Sequence, residues 1–180
     1  LSYDTTSSED SNSGKKTNNP FIDPDLSVGN VITNTDWYAD LIYNQVRRYK
    51  QEGVRHYGVW NEPNDGHMFN GPRDPSFLDV FMRTYALPAR RALNAADPEA
   101  KLIGPELSPG TGVPSGKARW DNDWLEPILR KYPDVFDVIT LHSHDNSHRD
   151  AERRAERALT LMAKYGSKAE LWVTEFGVDS

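Results

Sequence analysis

Helix-spaced stretches and short strand-like runs take turns along most of this chain, and that alternation constrains its fold more than any other feature. Tyr38, Leu41, Ile42, Val46 and Tyr49 fall at helical spacing on one face. Thr35 or Asp36 can accept N–H bonds at the start of that helix, and Gly53 can end it. Val54 to Trp60 then reads as a strand. A second helix is predicted from about Ser76, with Phe77, Phe81, Tyr85, Ala89 and Ala92 on one side. Pro88 should kink or split it, because proline lacks the N–H and crowds the preceding turn. Lys101 to Gly104 reads as a short buried strand, and a short helix is expected at about Asp121 to Lys131. Phe136 to His142 is the next strand. Asp150 to Tyr165 is a charged helix whose buried side is expected to hold Ala151, Ala155, Ala158, Leu159 and Met162, with its Arg and Glu residues solvated. Gly166 caps it, and Ala169 to Thr174 is the last strand.

Regular β/α alternation argues for a parallel sheet with helices outside it. The strands start far enough apart for a crossover helix in each βαβ unit. A β/α barrel and an open doubly wound sheet both satisfy this pattern. No glycine-rich phosphate-binding motif follows a strand, so nucleotide-binding versions lose ground. Residues 1–35 form a polar loop region: Thr5 to Asn19 is rich in Ser, Thr, Asn and Lys, almost without apolar residues, and is expected to be mobile. The folded domain is expected over residues 36–180, interrupted by Gly/Pro loops at Asn64 to Pro75 and Ser108 to Gly116. The chain starts at Leu1 without a methionine and stops at Ser180 just past a strand-like run, so both ends read as cut.

Composition removes several classes of function. The net charge is −6 and no basic stripe is present, so nucleic acid is not an expected partner. No apolar run reaches the roughly 18 residues of a membrane-spanning helix. With no cysteine there is neither disulfide nor thiolate chemistry, which fits cytosol and secretion equally. The 5 Trp, 8 Tyr and 6 Phe suit a packed core and also a sugar site, where rings stack on pyranose C–H faces.

Two of the strands lead into a glutamate. The first reads Arg55-His56-Tyr57-Gly58-Val59-Trp60-Asn61-Glu62-Pro63-Asn64, and the second Glu170-Leu171-Trp172-Val173-Thr174-Glu175-Phe176-Gly177. In a β/α barrel the reactive groups sit at the C-terminal ends of strands. Asn61, Glu62, His142, His144, Thr174 and Glu175 share that address. Two carboxylates brought together are the minimum equipment for cleaving a glycosidic bond, one as acid and one as nucleophile or base. The acid must keep its proton near neutral pH, which requires burial or a neighbouring anion. Trp60 and Pro63 could supply an apolar wall beside Glu62, and Asn61 could bond a sugar hydroxyl. Plainer readings compete. Glu62 could cap the following turn, and Glu175 could be an ordinary rim carboxylate. His142-Ser143-His144, with His148 beyond, has the spacing of some zinc sites, but no second ligand cluster stands out and Asp145 and Asp179 read as loop acids. The expectation is therefore no metal and no cofactor. His56 and His67 read as structural or surface residues. Trp120 and Trp124 read as helix packing before a sugar platform. Glu106, just after a strand, could line the cleft or form a rim salt bridge.

These residues carry a resemblance. Trp60-Asn61-Glu62-Pro63-Asn64 resembles the strand-four acid/base motif of the clan A (β/α)₈ glycoside hydrolases. Thr174-Glu175-Phe176-Gly177 resembles the strand-seven nucleophile motif, and Phe136 to His144 is similar to strand six. The likeness is closest to family 39, the β-xylosidase/α-L-iduronidase family, with family 5 cellulases and mannanases next, and it covers about Asp36 to Gly177. It implies an incomplete α/β TIM barrel running from the end of strand three to strand seven, without strands one, two and eight. It also implies Glu62 as general acid/base, Glu175 as nucleophile, Asn61 on the sugar 2-hydroxyl, and His142 or His144 orienting Glu175. Clan members often have a tyrosine where this chain has His144. The implied activity is a retaining glycoside hydrolase acting on polysaccharides or oligosaccharides, secreted as the full-length protein, with a carbohydrate as partner and oligomeric state unspecified. Two alternatives accompany it: a non-catalytic carbohydrate-binding barrel, and a metal-dependent hydrolase built on the histidines.

Overall fold

The computed structural model describes residues 35–64, 76–109, 119–145 and 148–178. The polar region 1–34, residues 65–75 with His67, residues 110–118 and Asp179 lie outside the described residues. Four parallel strands form one sheet: β1 (His56–Gly58), β2 (Lys101–Leu107), β3 (Val138–Asp145) and β4 (Glu170–Val178). Their order across the sheet is their order in the chain. A doubly wound sheet reverses its strand order part-way and covers both faces with helices. Here there is no reversal among the described strands, so the described helices accumulate on one face.

The sheet is curled. His56 on the first strand and Trp172 on the last bring their rings to a centroid separation of 5.0 Å. The register assigns both to one face, which also holds Ile103, Val138 and Thr140. Edge strands of a flat sheet could not touch in this way. The architecture is a curled parallel half-barrel, consistent with part of a TIM-like barrel.

The helix-facing side forms the core. Tyr57, Leu102, Ile139 and Leu141 from the sheet meet Tyr38, Ile42 and Val46 of α1 (Thr35–Lys50) and Phe81, Tyr85, Ala89, Ala92 and Leu93 from the second helical segment. Those α1 and second-segment residues include most of the expected apolar faces; Leu41 is half-buried and Tyr49 exposed. On α5 (His148–Lys164) the expectation fails at one position: Leu159 is 53% exposed, while Leu161, with Ala158 and Met162, faces the core. Residues 159 and 161 flank the 158/162 stripe symmetrically, each about 60° outside it, so spacing alone does not choose between them and the packing of α5 selects Leu161.

Both helices that contain an internal proline answer it in the same way. α2 (Ser76–Phe81) passes through a π-helical segment, Met82–Ala86, into α3 (Leu87–Ala96). A second π-helical segment, Trp120–Leu125, leads into α4 (Glu126–Lys131). In each, the N–H just before the proline reaches back five residues, Leu87 to the Met82 carbonyl and Glu126 to the Asp121 carbonyl. Pro88 and Pro127 then occupy the first turn of a fresh α-helix, where a missing N–H costs little. The split predicted at Pro88 is thus a change of winding upstream of the ring.

The strand boundaries also moved. β1 is shorter than the predicted 54–60, while β2 and β4 run three and four residues past their predicted ends, to Leu107 and Val178. β4 continues because β3 offers it ladder partners as far as Asp145 opposite Val178. On the helix side of β4, Val173 and Phe176 are exposed.

Candidate active site

The first glutamate is set by a chain of backbone bonds beyond β1. Trp60 is 2% exposed and its ring lies 5.0 Å from that of Tyr85. The structure therefore places Trp60 in the core behind the site, not on the open face where a sugar ring could stack. Asn61 is half-buried beside it. Glu62 turns the chain with a positive φ of 47°, as Glu106 does at the end of β2 with 54°. Left-handed backbone costs a non-glycine residue about 1–2 kcal/mol, and such strain persists only where surrounding bonds over-determine it. Those bonds are present. Glu62 N–H donates to the Glu106 carbonyl at 3.0 Å, and Glu106 N–H donates to Thr140 Oγ1 at 2.8 Å. Asn64 closes the arrangement, with its amide donating to the Ser108 carbonyl and accepting from the Ser108 N–H, each at 2.9 Å. Asn64 is thus a clasp between the two strand ends.

The second glutamate is aimed by an irregular ladder. Leu141 pairs with Val173, but His142 pairs with Glu175, so Thr174 is an extra residue in β4. A bulge of this kind reverses the in/out alternation beyond it. In an unbroken ladder Glu175 would stand opposite Ser143, on the other face of the sheet. The bulge turns it toward His142 on the open face. Two positions on, Gly177 pairs with His144. A Cβ there would stand 3.1 Å from His144 Nδ1, so the glycine makes room for the imidazole.

Four groups converge. His142 Nδ1 lies 2.8 Å from Glu62 Oε1 and 3.5 Å from Glu175 Oε2. His144 Nε2 lies 3.0 Å from Glu175 Oε2. One ligand atom from each of Glu62, His142, His144 and Glu175 falls within 4.8 Å of all the others. The His142 side chain is fully buried and Glu62 is 14% exposed, whereas Glu175 and His144 are 46% and 49% exposed. Glu106 faces the opposite edge of the His142 ring, with Oε2 3.7 Å from Nε2. Burial alone would push His142 toward neutrality; Glu106, Glu62 and Glu175 around the ring outweigh it and raise its pKa from 6.5 to about 9. Three glutamate side chains thus surround the ring and favour its protonated form.

The expected site residues separate accordingly. Glu62, Glu175, His142 and His144 come together, and both histidines reach Glu175, with His144 the nearer. The two glutamates stand beside both histidines, a grouping of four side chains with the donor atoms that could hold a metal ion. Glu106 is 8% exposed, with its carboxyl 3.7 Å from His142 Nε2. His148 is exposed at the start of α5, and His56 is half-buried against Trp172. Trp124 is core, its ring 5.6 Å from that of Phe81, and Trp120 lies half-buried under the Arg154 guanidinium. The roles of Asn64, Thr174 and Gly177 escaped sequence reading. Only the Gly in Thr-Glu-Phe-Gly carried a local signal.

No protein-family model matches the sequence, and no curated protein matches it. Solved structures do match the fold. A glucosidase from Croceicoccus marinus aligns with a TM-score of 0.61 at 19% identity, over 83% of this chain and 32% of that one. A family 44 xyloglucanase from Paenibacillus polymyxa aligns with a TM-score of 0.53 at 15% identity, over 77% and 39%. A family 44 endoglucanase from Clostridium thermocellum gives 0.51 at 14%, over 77% and 40%. The chain spans less than half the length of each. The likeness establishes a fold shared with glycoside hydrolases and does not reach family 39.

Proposed function

We propose that this chain carries the catalytic pair of a retaining glycoside hydrolase. The observation that supports the reading best is the approach of Glu62 and Glu175, whose oxygens come within 4.8 Å on a shared imidazole. Retaining enzymes hold their carboxyl groups about 5–5.5 Å apart, and inverting enzymes about 6.5–9.5 Å to admit a water. Glu175, the more exposed of the two, attacks the anomeric carbon. Glu62 gives its proton to the departing glycosidic oxygen as that bond breaks. The product is a glycosyl ester on Glu175. Glu62, now a carboxylate, takes a proton from a water that attacks the same carbon and releases Glu175. His144 and His142 fix the Glu175 oxygen that does not attack, which orients the other. Asn61, next to Glu62, is assigned to the sugar 2-hydroxyl on the motif resemblance alone. Membership of family 39 is part of the same proposal.

Aryl glycosides of graded leaving-group acidity test the roles. Glu175→Ala should abolish turnover of every substrate. Glu62→Ala should hurt poor leaving groups far more than activated ones, because only the former need the acid. Equal losses across the series would sink the assignment of Glu62, and an inverted anomeric product by NMR would sink double displacement.

A further inference from the structure

The convergence that supports catalysis also has the composition of a transition-metal site, and we infer that Glu62, His142, His144 and Glu175 bind one divalent zinc-class ion that shuts the site to sugar. Two imidazoles and two carboxylates are a borderline-soft donor set that selects zinc-class ions over magnesium or calcium, which take all-oxygen shells. A tetrahedral ion at about 2.0–2.1 Å from each donor holds the donors about 3.3–3.4 Å apart. The separations in the structure bracket that value. They are 2.8 Å for His142 Nδ1 to Glu62, 3.0 Å for His144 Nε2 to Glu175 and 3.5 Å for His142 Nδ1 to Glu175. With no pair in the set beyond 4.8 Å, shifts of about an ångström and a half at most complete the shell.

The surroundings fit as well. A metal-bound imidazole ordinarily gives its other N–H to a carboxylate, which fixes the ring and makes it a better ligand. His142 Nε2 is buried without a hydrogen-bond partner among the described residues, and Glu106 Oε2 stands 3.7 Å away. Nδ1 on the ion and Nε2–H toward Glu106 would complete that relay. Half-exposed Glu175 and His144 form the entrance, and buried His142 with Glu62 the floor. Entry of the ion displaces the proton shared by His142 and Glu62 into solvent and forms four coordinate bonds. It ties up both catalytic carboxylates, so the bound ion is an inhibitor. That consequence rests on the hydrolase reading; the binding does not.

The test is calorimetric titration of the chain with zinc chloride in a non-chelating buffer, beside magnesium chloride and beside His144→Ala. His144 is half-exposed, so that variant should fold, which circular dichroism checks. The expected result is one saturable zinc site per chain, no magnesium site, and at least a tenfold loss of affinity in the variant, on the order of the loss that supporting residues alone cause. No saturable binding, or equal affinity in folded His144→Ala, overturns the site. Aryl-glycoside turnover then separates the two readings. Inhibition with a constant matching the calorimetric one, reversed by a chelator, supports both. Turnover indifferent to bound zinc overturns the inhibitory role. Binding with no turnover in zinc-free protein leaves the site standing and removes the hydrolase reading.

Discussion

Replacing Gly104 with alanine sets a methyl group against a buried ring. A Cβ at that position would lie 2.4 Å from Phe136 Cε1, 2.9 Å from Cδ1 and 3.1 Å from Cζ. Carbon atoms rest comfortably at about 3.5–4.0 Å, so roughly an ångström of relief is needed. Neither side yields easily. Phe136 is 4% exposed, and Gly104 is held in the ladder opposite Ile139. Overpacking of this kind costs about 1–3 kcal/mol. Alanine returns about 0.4–1 kcal/mol by restricting the unfolded chain. The net loss should be about 1–2 kcal/mol, a fall in Tm of about 2–8 °C for a chain of this size. Thermal melting followed by circular dichroism reads it. The control is Phe136→Leu, which removes the struck ring atoms at the expense of a void. Combined with Gly104→Ala, it should be less damaging than the sum of the single changes, by at least about 0.5 kcal/mol. An unchanged Tm in Gly104→Ala would refute the packing argument, and so would strict additivity.

Tyr38→Phe removes the hydroxyl that donates to the Val59 carbonyl at 2.8 Å and leaves that buried oxygen unpaired; a loss of about 1–3 kcal/mol is expected in chemical denaturation. Gly177→Ala should push His144 off Glu175, from a contact of 3.1 Å at the new Cβ, and lower kcat while leaving the melting temperature nearly unchanged. A large fall in Tm would show the glycine to be structural. Asp137 provides a pH test. Burial works to raise its pKa, but the Leu102 N–H and the Arg90 and Lys101 cations outweigh it, and the net shift is downward from 3.8. A depressed folded pKa adds stability above the unfolded value that disappears as pH falls through the folded one. The wild-type chain should thus lose stability as pH falls through the unfolded value of 3.8 toward the lower folded one, and Asp137→Asn should be weaker at pH 7 with a flatter acid limb. Parallel acid limbs in the two proteins would exclude this role.

The alternating periodicity of the chain was enough to specify parallel β/α units and most helix faces, because burial on one side of a helix imposes a local spacing that any reader of the sequence can count. The two glutamates stood out for a similar reason, each following a strand-like run, although in the structure only Glu62 lies past its strand and Glu175 sits inside β4. Sequence could not choose between a barrel and a doubly wound sheet, since both have the same local pattern and differ only in which neighbour each strand pairs with. Trp60 illustrates the limit. An aromatic beside an acid reads as an apolar wall of the site, yet the Trp60 ring is buried in the core against Tyr85. Glu106 reads as an ordinary strand-end acid until β2 and β3 bring it to the far edge of His142. The aim of Glu175 depends on one unpaired residue, Thr174, and a bulge has no period of its own to betray it. What the chain determined alone was the set of elements and the residues at their ends. Convergence of those residues on one imidazole was decided by strand order, curl and register, which arise from contacts between segments far apart in sequence.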